Sequence, residues 1–385
     1  MGKTKGMPEI KLVLKPASDG QLRKTGGKAC CGGPAQAEWT TGTIVTPSGP
    51  VCRVSTTLTR ADKWGNFKCR VSSFRDRYSV SPGLYAVGEP GMASDVFVSA
   101  NYKFSFDMLR RELSGMNAWI LVLDTKGINV WCAAGKGTFG TAELIERITA
   151  TRLNIVAGKG RLVLPQLGAP GVNAGEVRKA TGFKVCYGPV RAADIPFYVA
   201  AGYKASGEMR EAGFGFMDRI VLSPMEIIPA MKRYPLFALI ILTVFGLDPR
   251  GIIFRNAVSG GLPFLALGLA SVLAGAFLVP VLLPFIPFKS FAAKGWLAGA
   301  VVILPGIVAL SPMSRTLIWA ACIFFPMASS YIALQFTGST TFTCISGVKK
   351  ELKAALPVYI TSAAVSVVLL LAYKLMEWRV FLFLK

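Results

Sequence analysis

After Arg233 the chain stops looking like a protein built for water. Residues 234–385 hold 11 Lys and Arg and only 3 Asp and Glu, and their apolar residues come in runs too long for strands or for the helices of a small soluble core. Five such segments stand out, at about 234–248, 257–286, 295–311, 315–336 and 356–376. The second, fourth and fifth exceed the roughly 18–20 residues needed to span a bilayer, while the first and third need their flanks. Pro263, Pro280, Pro284, Pro305 and Pro326 lie inside or at the edges of these runs, where kinks or helix ends are expected. The sequence thus predicts an all-α membrane domain of five transmembrane helices over 234–385, joined to the rest through a junction at 227–233 that contains Pro229, Lys232 and Arg233.

Charge placement suggests an orientation. With the amino-terminal half inside, Lys232, Arg233, Lys289, Lys294, Lys349, Lys350 and Lys353 fall in inner loops, and Arg250, Arg255, Arg315, Lys374, Arg379 and Lys385 in outer ones. The excess is small but has the positive-inside sign. A multi-pass protein of the cytoplasmic (inner) membrane is expected, with its amino-terminal domain on the cytoplasmic side.

The first 233 residues carry most of the formal charge of +22. Basic charge on this scale suits nucleic acid, an anionic membrane surface or an acidic partner. No nucleic-acid motif accompanies it, so the membrane is favoured and nucleic acid is not expected as a partner. The 385-residue chain has no His, which removes Ser-His-Asp and Cys-His catalysis and all His-containing zinc sites. Its eight Cys, at 30, 31, 52, 69, 132, 186, 322 and 344, include no CxxC pair and match no iron–sulfur run, so no iron–sulfur cluster is expected in this chain. Reduced thiols fit a cytoplasmic face. Residues 1–40 read as a flexible basic arm. Cys30-Cys31 within it is either a soft-metal trap or an incidental pair, and the second reading is favoured because only their adjacency argues for the first.

Residues 41–226 read as an α/β domain. Thr43 to Val45, Val51 to Leu58 and Phe67 to Ser72 are β-like runs, Asp95 to Tyr102 is a strand, and Ser105 to Leu113 a helix with Ser105 near its N-cap. From Trp119 strands and helices alternate, the pattern of a parallel, Rossmann-like sheet with helices on its faces. Three strands in succession end in loops of Gly, Pro and small residues. The first runs through Asn129, Val130, Trp131, Cys132, Ala133, Ala134, Gly135, Lys136, Gly137, Thr138 and Phe139, before a helix with Thr141 as candidate N-cap. The second holds Pro165, Gln166, Leu167, Gly168, Ala169 and Gly171, and the third Tyr187, Gly188 and Pro189. Open α/β sheets bind ligands at the carboxyl ends of their strands, and small residues around Cys132 let a large flat group approach sulfur and backbone. A lone Cys after an apolar strand is also commonly a small buried hydrophobe, and Gly and Pro at strand ends are ordinary turn chemistry.

The octapeptide Asn129-Val130-Trp131-Cys132-Ala133-Ala134-Gly135-Lys136 resembles the signature of the mercury-methylating corrinoid proteins, membrane-bound relatives of the corrinoid iron–sulfur protein of the acetyl-CoA pathway. The Pro82-Gly83-Leu84-Tyr85 and Ala100-Asn101-Tyr102-Lys103-Phe104 runs resemble the same family. The resemblance implies a Rossmann-like corrinoid-binding domain, with a corrinoid (cobalamin or a related cobamide) as cofactor and Cys132 as catalytic residue and lower axial ligand of its cobalt. It also implies methyl transfer from methyl-cobalt(III) to inorganic Hg(II), giving methylmercury. The partners it implies are a cellular methyl donor or methyltransferase and a two-cluster ferredoxin-like electron donor with 4Fe–4S centres. Two alternatives stay open: a corrinoid methyltransferase with another native acceptor, and a non-catalytic corrinoid carrier or permease. Lys136 reads equally as a residue that favours the Cys132 thiolate and as a solvated turn residue.

Overall fold

The computed structural model describes residues 38–249, 251–310, 313–336 and 345–378. Cys30, Cys31 and Cys344, with nearly all of the expected basic arm, lie outside the described residues.

A seven-stranded sheet forms the core of the first half. In chain order its strands are β1 (Thr40–Thr46), β2 (Gly49–Val54), β3 (Gly83–Val87), β4 (Val96–Ala100), β5 (Ala118–Leu123), β6 (Arg161–Leu164) and β7 (Lys184–Tyr187), and in space they run β1-β2-β3-β5-β4-β6-β7. β5, β4, β6 and β7 are parallel, as expected. The sheet as a whole is mixed, because its earlier strands add antiparallel pairs to the parallel part expected after Trp119: β1 pairs antiparallel with β2, and β3 antiparallel with β5. The reason is connection length. A two-residue turn between Thr46 and Gly49 can only join antiparallel strands, and no crossover helix lies between β3 and β4. Every residue of β4 and β5 is buried, consistent with a sheet covered on both faces.

Three local expectations are revised. Phe67 to Ser72 is not β-like but ends a helix, α1 (Arg60–Val71). Thr59 starts it with a capping box: its hydroxyl accepts from the Asp62 N–H at 3.1 Å, and the Asp62 carboxylate accepts from the Thr59 N–H at 3.0 Å. The inward positions are Asp62, Gly65, Asn66 and Cys69, a helical spacing concealed by their small and polar character. Helix α2 (Lys103–Glu112) starts after Tyr102, so Ser105 lies within its first turn. Helix α4 (Thr141–Ala150) is preceded by Gly140 as N-cap. Thr141 instead accepts a hydrogen bond from the Asn173 N–H at 2.8 Å, while a Cβ at position 140 would stand 2.8 Å from the Gly137 carbonyl oxygen.

Among the described residues of the second half, five helices are long and apolar enough to cross a membrane: Phe216–Gly246, Phe254–Val281, Phe291–Ala309, Arg315–Gln335 and Gly347–Glu377. The junction residues 227–233 are helical, continuous with Pro224–Gly246 through Pro229 and Pro235. Small residues let these helices approach. A Cβ on Gly295 would lie 2.5 Å from the Ala333 Cβ, and one on Gly299 2.9 Å from the Pro326 Cα. Across this contact Ser329 donates to the Gly295 carbonyl at 2.9 Å and Ser330 to the Ala292 carbonyl at 2.7 Å, the close packing and polar bridging of helices that associate within lipid.

Candidate functional site

The residues after β5 do not form the expected open loop around Cys132; they form a short helix, α3 (Val130–Lys136). Asn129 sets its start, its side-chain oxygen accepting from the Cys132 N–H at 3.0 Å. Gly137, at φ +78°, ends it in the left-handed conformation. Val130, Ala133 and Ala134 face inward, so Cys132 is turned outward and is exposed. Glycine signals at 135 and 137 made this stretch read as a turn; the Asn cap and two alanines carry a two-turn helix through it.

A second polar residue holds the approach to α3. The Asn101 side-chain oxygen accepts from the Thr125 hydroxyl at 2.8 Å, the Thr125 N–H at 3.1 Å and the Gly127 N–H at 2.9 Å. The Thr125 hydroxyl shares its one proton between Asn101 and the Ile128 carbonyl, 2.7 Å away. The end of β4 thereby fixes the turn leaving β5. Beside it burial acts to raise the Asp124 carboxyl, but hydrogen bonds from the Lys126 ammonium and backbone N–H, with the nearby Arg147 charge, hold it below its ordinary range.

The loop after β6 packs directly on α3. It is a 3₁₀ turn, Gln166–Gly171. A Cβ on Gly168 would stand 2.5 Å from the Phe139 ring, and one on Gly171 2.1 Å from the Phe139 carbonyl oxygen and 3.3 Å from the Ala134 Cα. Phe139 is fully buried beneath this loop. The loop after β7 joins them, with the Gly188 N–H donating to the Leu164 carbonyl at 2.7 Å and the Tyr187 hydroxyl to the Val172 carbonyl at 2.6 Å.

Between these loops and α2 lies a cavity of about 340 Å³ at the carboxyl ends of β4 and β6. Asn129, Val130, Trp131, Pro165, Leu167, Gly188 and Pro189 line it, bringing together parts of all three loops. Cys132 borders these residues in the chain without being one of its walls, and Ala133, Gly135, Lys136, Gly137, Thr138, Gln166 and Ala169 also lie outside the lining. Phe104, Ser105 and Met108 of α2 complete the wall. They were not among the expected site residues, although Phe104 closes the Ala-Asn-Tyr-Lys-Phe run at the end of β4.

The donor set is informative. Among the described residues no three Cys, Asp or Glu side chains converge on a point where a metal ion could sit, whereas one exposed sulfur, Cys132, stands in the helix that follows β5. A single soft donor is too little for a free metal ion and is enough for a metal that arrives inside its own macrocycle. The mostly apolar cavity beside it suits part of such a ring.

Residues 72–199 match the family described as CO dehydrogenase/acetyl-CoA synthase delta subunit. The similarity lies where the cavity lies. The matched stretch contains β3 to β7, α2 and α3, and ends before the long apolar helices. Among curated proteins the chain is similar to the acetyl-CoA decarbonylase/synthase complex subunit gamma of Archaeoglobus fulgidus, 31% identical over 118 residues, or 30% of this chain and 25% of that protein. The corresponding subunit of Methanopyrus kandleri is 28% identical over 134 residues, 34% of this chain and 29% of that protein, and subunit gamma 1 of Methanosarcina thermophila 29% identical over 129 residues, 32% and 27%. The chain thus spans little more than a quarter of the length of the curated relatives it matches.

Proposed function

We propose that this chain is a membrane-bound, corrinoid-dependent methyltransferase that forms methylmercury from inorganic Hg(II), with the Cys132 thiolate as lower axial ligand of the cobalt. The observation that carries this reading is the outward placement of Cys132 in the first turn of α3, at the edge where the parallel strands end and beside an apolar cavity. Similarity of the same domain to acetyl-CoA decarbonylase/synthase subunits supports it, as does the likeness of the α3 octapeptide to the mercury-methylating family.

A corrinoid held here would supply the methyl group, as a carbanion equivalent suited to a soft electrophile. The protein's part is ligation and access. Asn129 fixes the helix start and so the direction of the Cys132 side chain. Gly135 and Gly137, where an added Cβ would meet nothing within 4 Å, keep the surface beside the sulfur low. Trp131, Leu167, Pro189 and Met108 supply apolar wall that excludes water from one flank. Electron delivery falls to the separate two-cluster ferredoxin, and the methyl group comes from a cellular donor. The five long apolar helices fit an integral membrane anchor that holds the sheet domain at the cytoplasmic surface.

A second reading keeps the corrinoid and the methyl transfer but gives them another acceptor. It is favoured by the relatives' place in an acetyl-CoA decarbonylase/synthase complex. Anaerobic purification with the ferredoxin, followed by an optical spectrum and an assay for methylmercury, separates the two. Corrinoid bound without methylmercury formed removes Hg(II) as the acceptor and leaves the second reading or a non-catalytic carrier, which loss of the cobalt-bound methyl group to another acceptor tells apart; folded protein that neither contains nor takes up corrinoid defeats both methyl-transfer readings.

A further inference from the structure

The outward face of α1 is unusual for a surface helix. Arg60, Lys63, Trp64, Phe67 and Lys68 follow a helical spacing opposite the inward set Asp62, Gly65, Asn66 and Cys69. Trp64 and Phe67 are 56% and 54% exposed and stack on each other, their ring centroids 5.4 Å apart. The Lys68 ammonium lies over the Trp64 ring at 5.3 Å. Two large aromatic side chains are thus presented to the surroundings inside a ring of cations. Over residues 60–77 there are six Lys and Arg against Asp62 and Asp76, and Asp62 is buried in ion pairs with Lys103 and Arg110, so the surface charge is almost wholly positive.

The position of this face identifies its partner. The Arg75 guanidinium, just past α1, reaches the Met225 sulfur at 3.8 Å, and Met225 belongs to Phe216–Gly246, the first of the long apolar helices. From Met225 to Arg233, where the apolar stretch begins, is eight residues, or about 12 Å of helix. The amino end of that helix also carries exposed Phe216 and Met217. An aromatic pair edged with Lys and Arg at this height matches the aromatic and basic belts by which proteins sit in the headgroup layer, and cationic residues near an anionic leaflet are each attracted to it.

We infer that the outward face of α1 is a membrane-interface anchor, in which Trp64 and Phe67 insert among the headgroups of anionic phospholipids while Arg60, Lys63 and Lys68 pair with their phosphates. The inference rests on the reading of the long helices as membrane spans. It gives α1 a function separate from corrinoid binding: with the first long helix it clamps the sheet domain at two points and sets its tilt on the bilayer.

The test uses the full chain in nanodiscs of phosphatidylglycerol or of phosphatidylcholine, with lipids brominated near the headgroup as fluorescence quenchers. The emission of Trp64 is taken as the difference between wild type and Trp64→Phe. In phosphatidylglycerol this difference is expected to be blue-shifted, quenched by bromolipid and shielded from acrylamide; the quenching is expected to weaken in phosphatidylcholine and in Arg60→Glu/Lys63→Glu/Lys68→Glu. Exposed Trp296 and Trp319, on two of the long helices, report the membrane reading independently. Quenching of these two with Trp64 left unquenched and open to acrylamide overturns the anchor and assigns the face to a soluble acidic partner. Absence of quenching at all three overturns the membrane reading itself. Equal quenching of Trp64 in both lipids retains insertion but overturns the pairing with anionic headgroups.

Discussion

Asp62 and Arg110 meet across the gap between α1 and α2, Arg110 Nη2 donating to Asp62 Oδ2 at 2.7 Å with both side chains buried. They belong to a network of two cations and two anions. Arg110 also donates to Asp107 at 2.8 Å, and Lys103 reaches both Asp62, at 2.8 Å, and Asp107. Arg110 further donates to the Ser55 carbonyl, tying both helices to the segment after β2. Charges buried this way lose hydration and are retained only when every one is paired.

Removing one member should therefore cost far more than a surface ion pair. Asp62→Asn is expected to destabilise the sheet domain by about 3–5 kcal/mol, the usual penalty for stranding a buried charge, and Asp62→Ala also removes the α1 capping box. Thermal unfolding of the full chain in detergent, followed by near-ultraviolet circular dichroism, measures the loss.

The same network makes a pH prediction. Burial acts to raise the Asp62 carboxyl, but the hydrogen bond from Lys103, the Thr59 N–H and the charges of Lys103 and Arg110 bring it down from 3.8 to about 2. A carboxylate held low in the folded state contributes stability above its unfolded value and loses it as pH falls through the folded one. Asp62's contribution should be complete above about pH 4 and disappear on titration toward pH 2. The stability difference between wild type and Asp62→Asn, measured by denaturant unfolding across that range, should shrink accordingly.

How much of this was legible in the sequence depended on whether local signals agreed with the tertiary ones. Ala118 to Leu123 is a continuous apolar run and folds as the buried central strand it resembles. Arg233 marks a composition change that coincides with the long apolar helices, although the helix itself begins well before it. By contrast α1 hides behind an inward face of Asp, Gly, Asn and Cys, whose burial depends on Lys103 and Arg110 from a helix some 40 residues later, and no local periodicity encodes a partner at that distance. The reversal of β3 was equally hidden, since strand direction follows from the absence of a crossover helix and not from the strand's own residues. At the site, the three loops were recognisable from their small residues and do converge, whereas α2's share of the cavity wall and the clamp made by Asn101 are set by topology.

Asn101 offers a test of positioning separate from ligation. Its side chain bonds to the turn before α3 and not to Cys132, and three hydrogen bonds at that turn depend on it. Asn101→Ala removes the acceptor of the Gly127 N–H and leaves Thr125 only the Leu123 and Ile128 carbonyls, at a cost of about 1–3 kcal/mol, and should weaken corrinoid uptake by loosening α3 while Cys132 remains in place. Cobalamin titration of the reconstituted protein, with circular dichroism to confirm the fold, checks both parts.

In the helical half Gly295 and Gly299 are the sensitive positions, because any side chain there meets the facing helix. Gly299→Leu should separate Phe291–Ala309 from Arg315–Gln335 and break the Ser329 hydrogen bond, lowering the thermal midpoint in detergent and the yield of monodisperse protein. Val301→Leu, on an exposed part of the same helix, should leave both unchanged.

Cys132 decides between chemistry and carriage. The side chain is outward and exposed, with its neighbours Val130, Ala133 and Ala134 securing the helix, so Cys132→Ala should alter stability by less than about 0.5 kcal/mol, as surface substitutions do. If its thiolate is the cobalt ligand, that variant should nonetheless form no methylmercury. Cys132→His is sharper, since imidazole can ligate cobalt but is a neutral and weaker donor; corrinoid uptake should persist with methyl transfer strongly reduced. Cys52→Ala, Cys69→Ala and Cys186→Ala serve as controls. Cys52 and Cys69 are buried in the core, Cys69 donating to the Asn66 carbonyl at 3.2 Å, and Cys186 is half-buried on β7; their loss should lower stability while the activity per bound corrinoid is retained. The readout is methylmercury formed per corrinoid bound, with the ferredoxin present. A carrier would bind corrinoid and form none in any variant, wild type included, and a Cys132→Ala protein as active as wild type would leave the sulfur no part in the reaction.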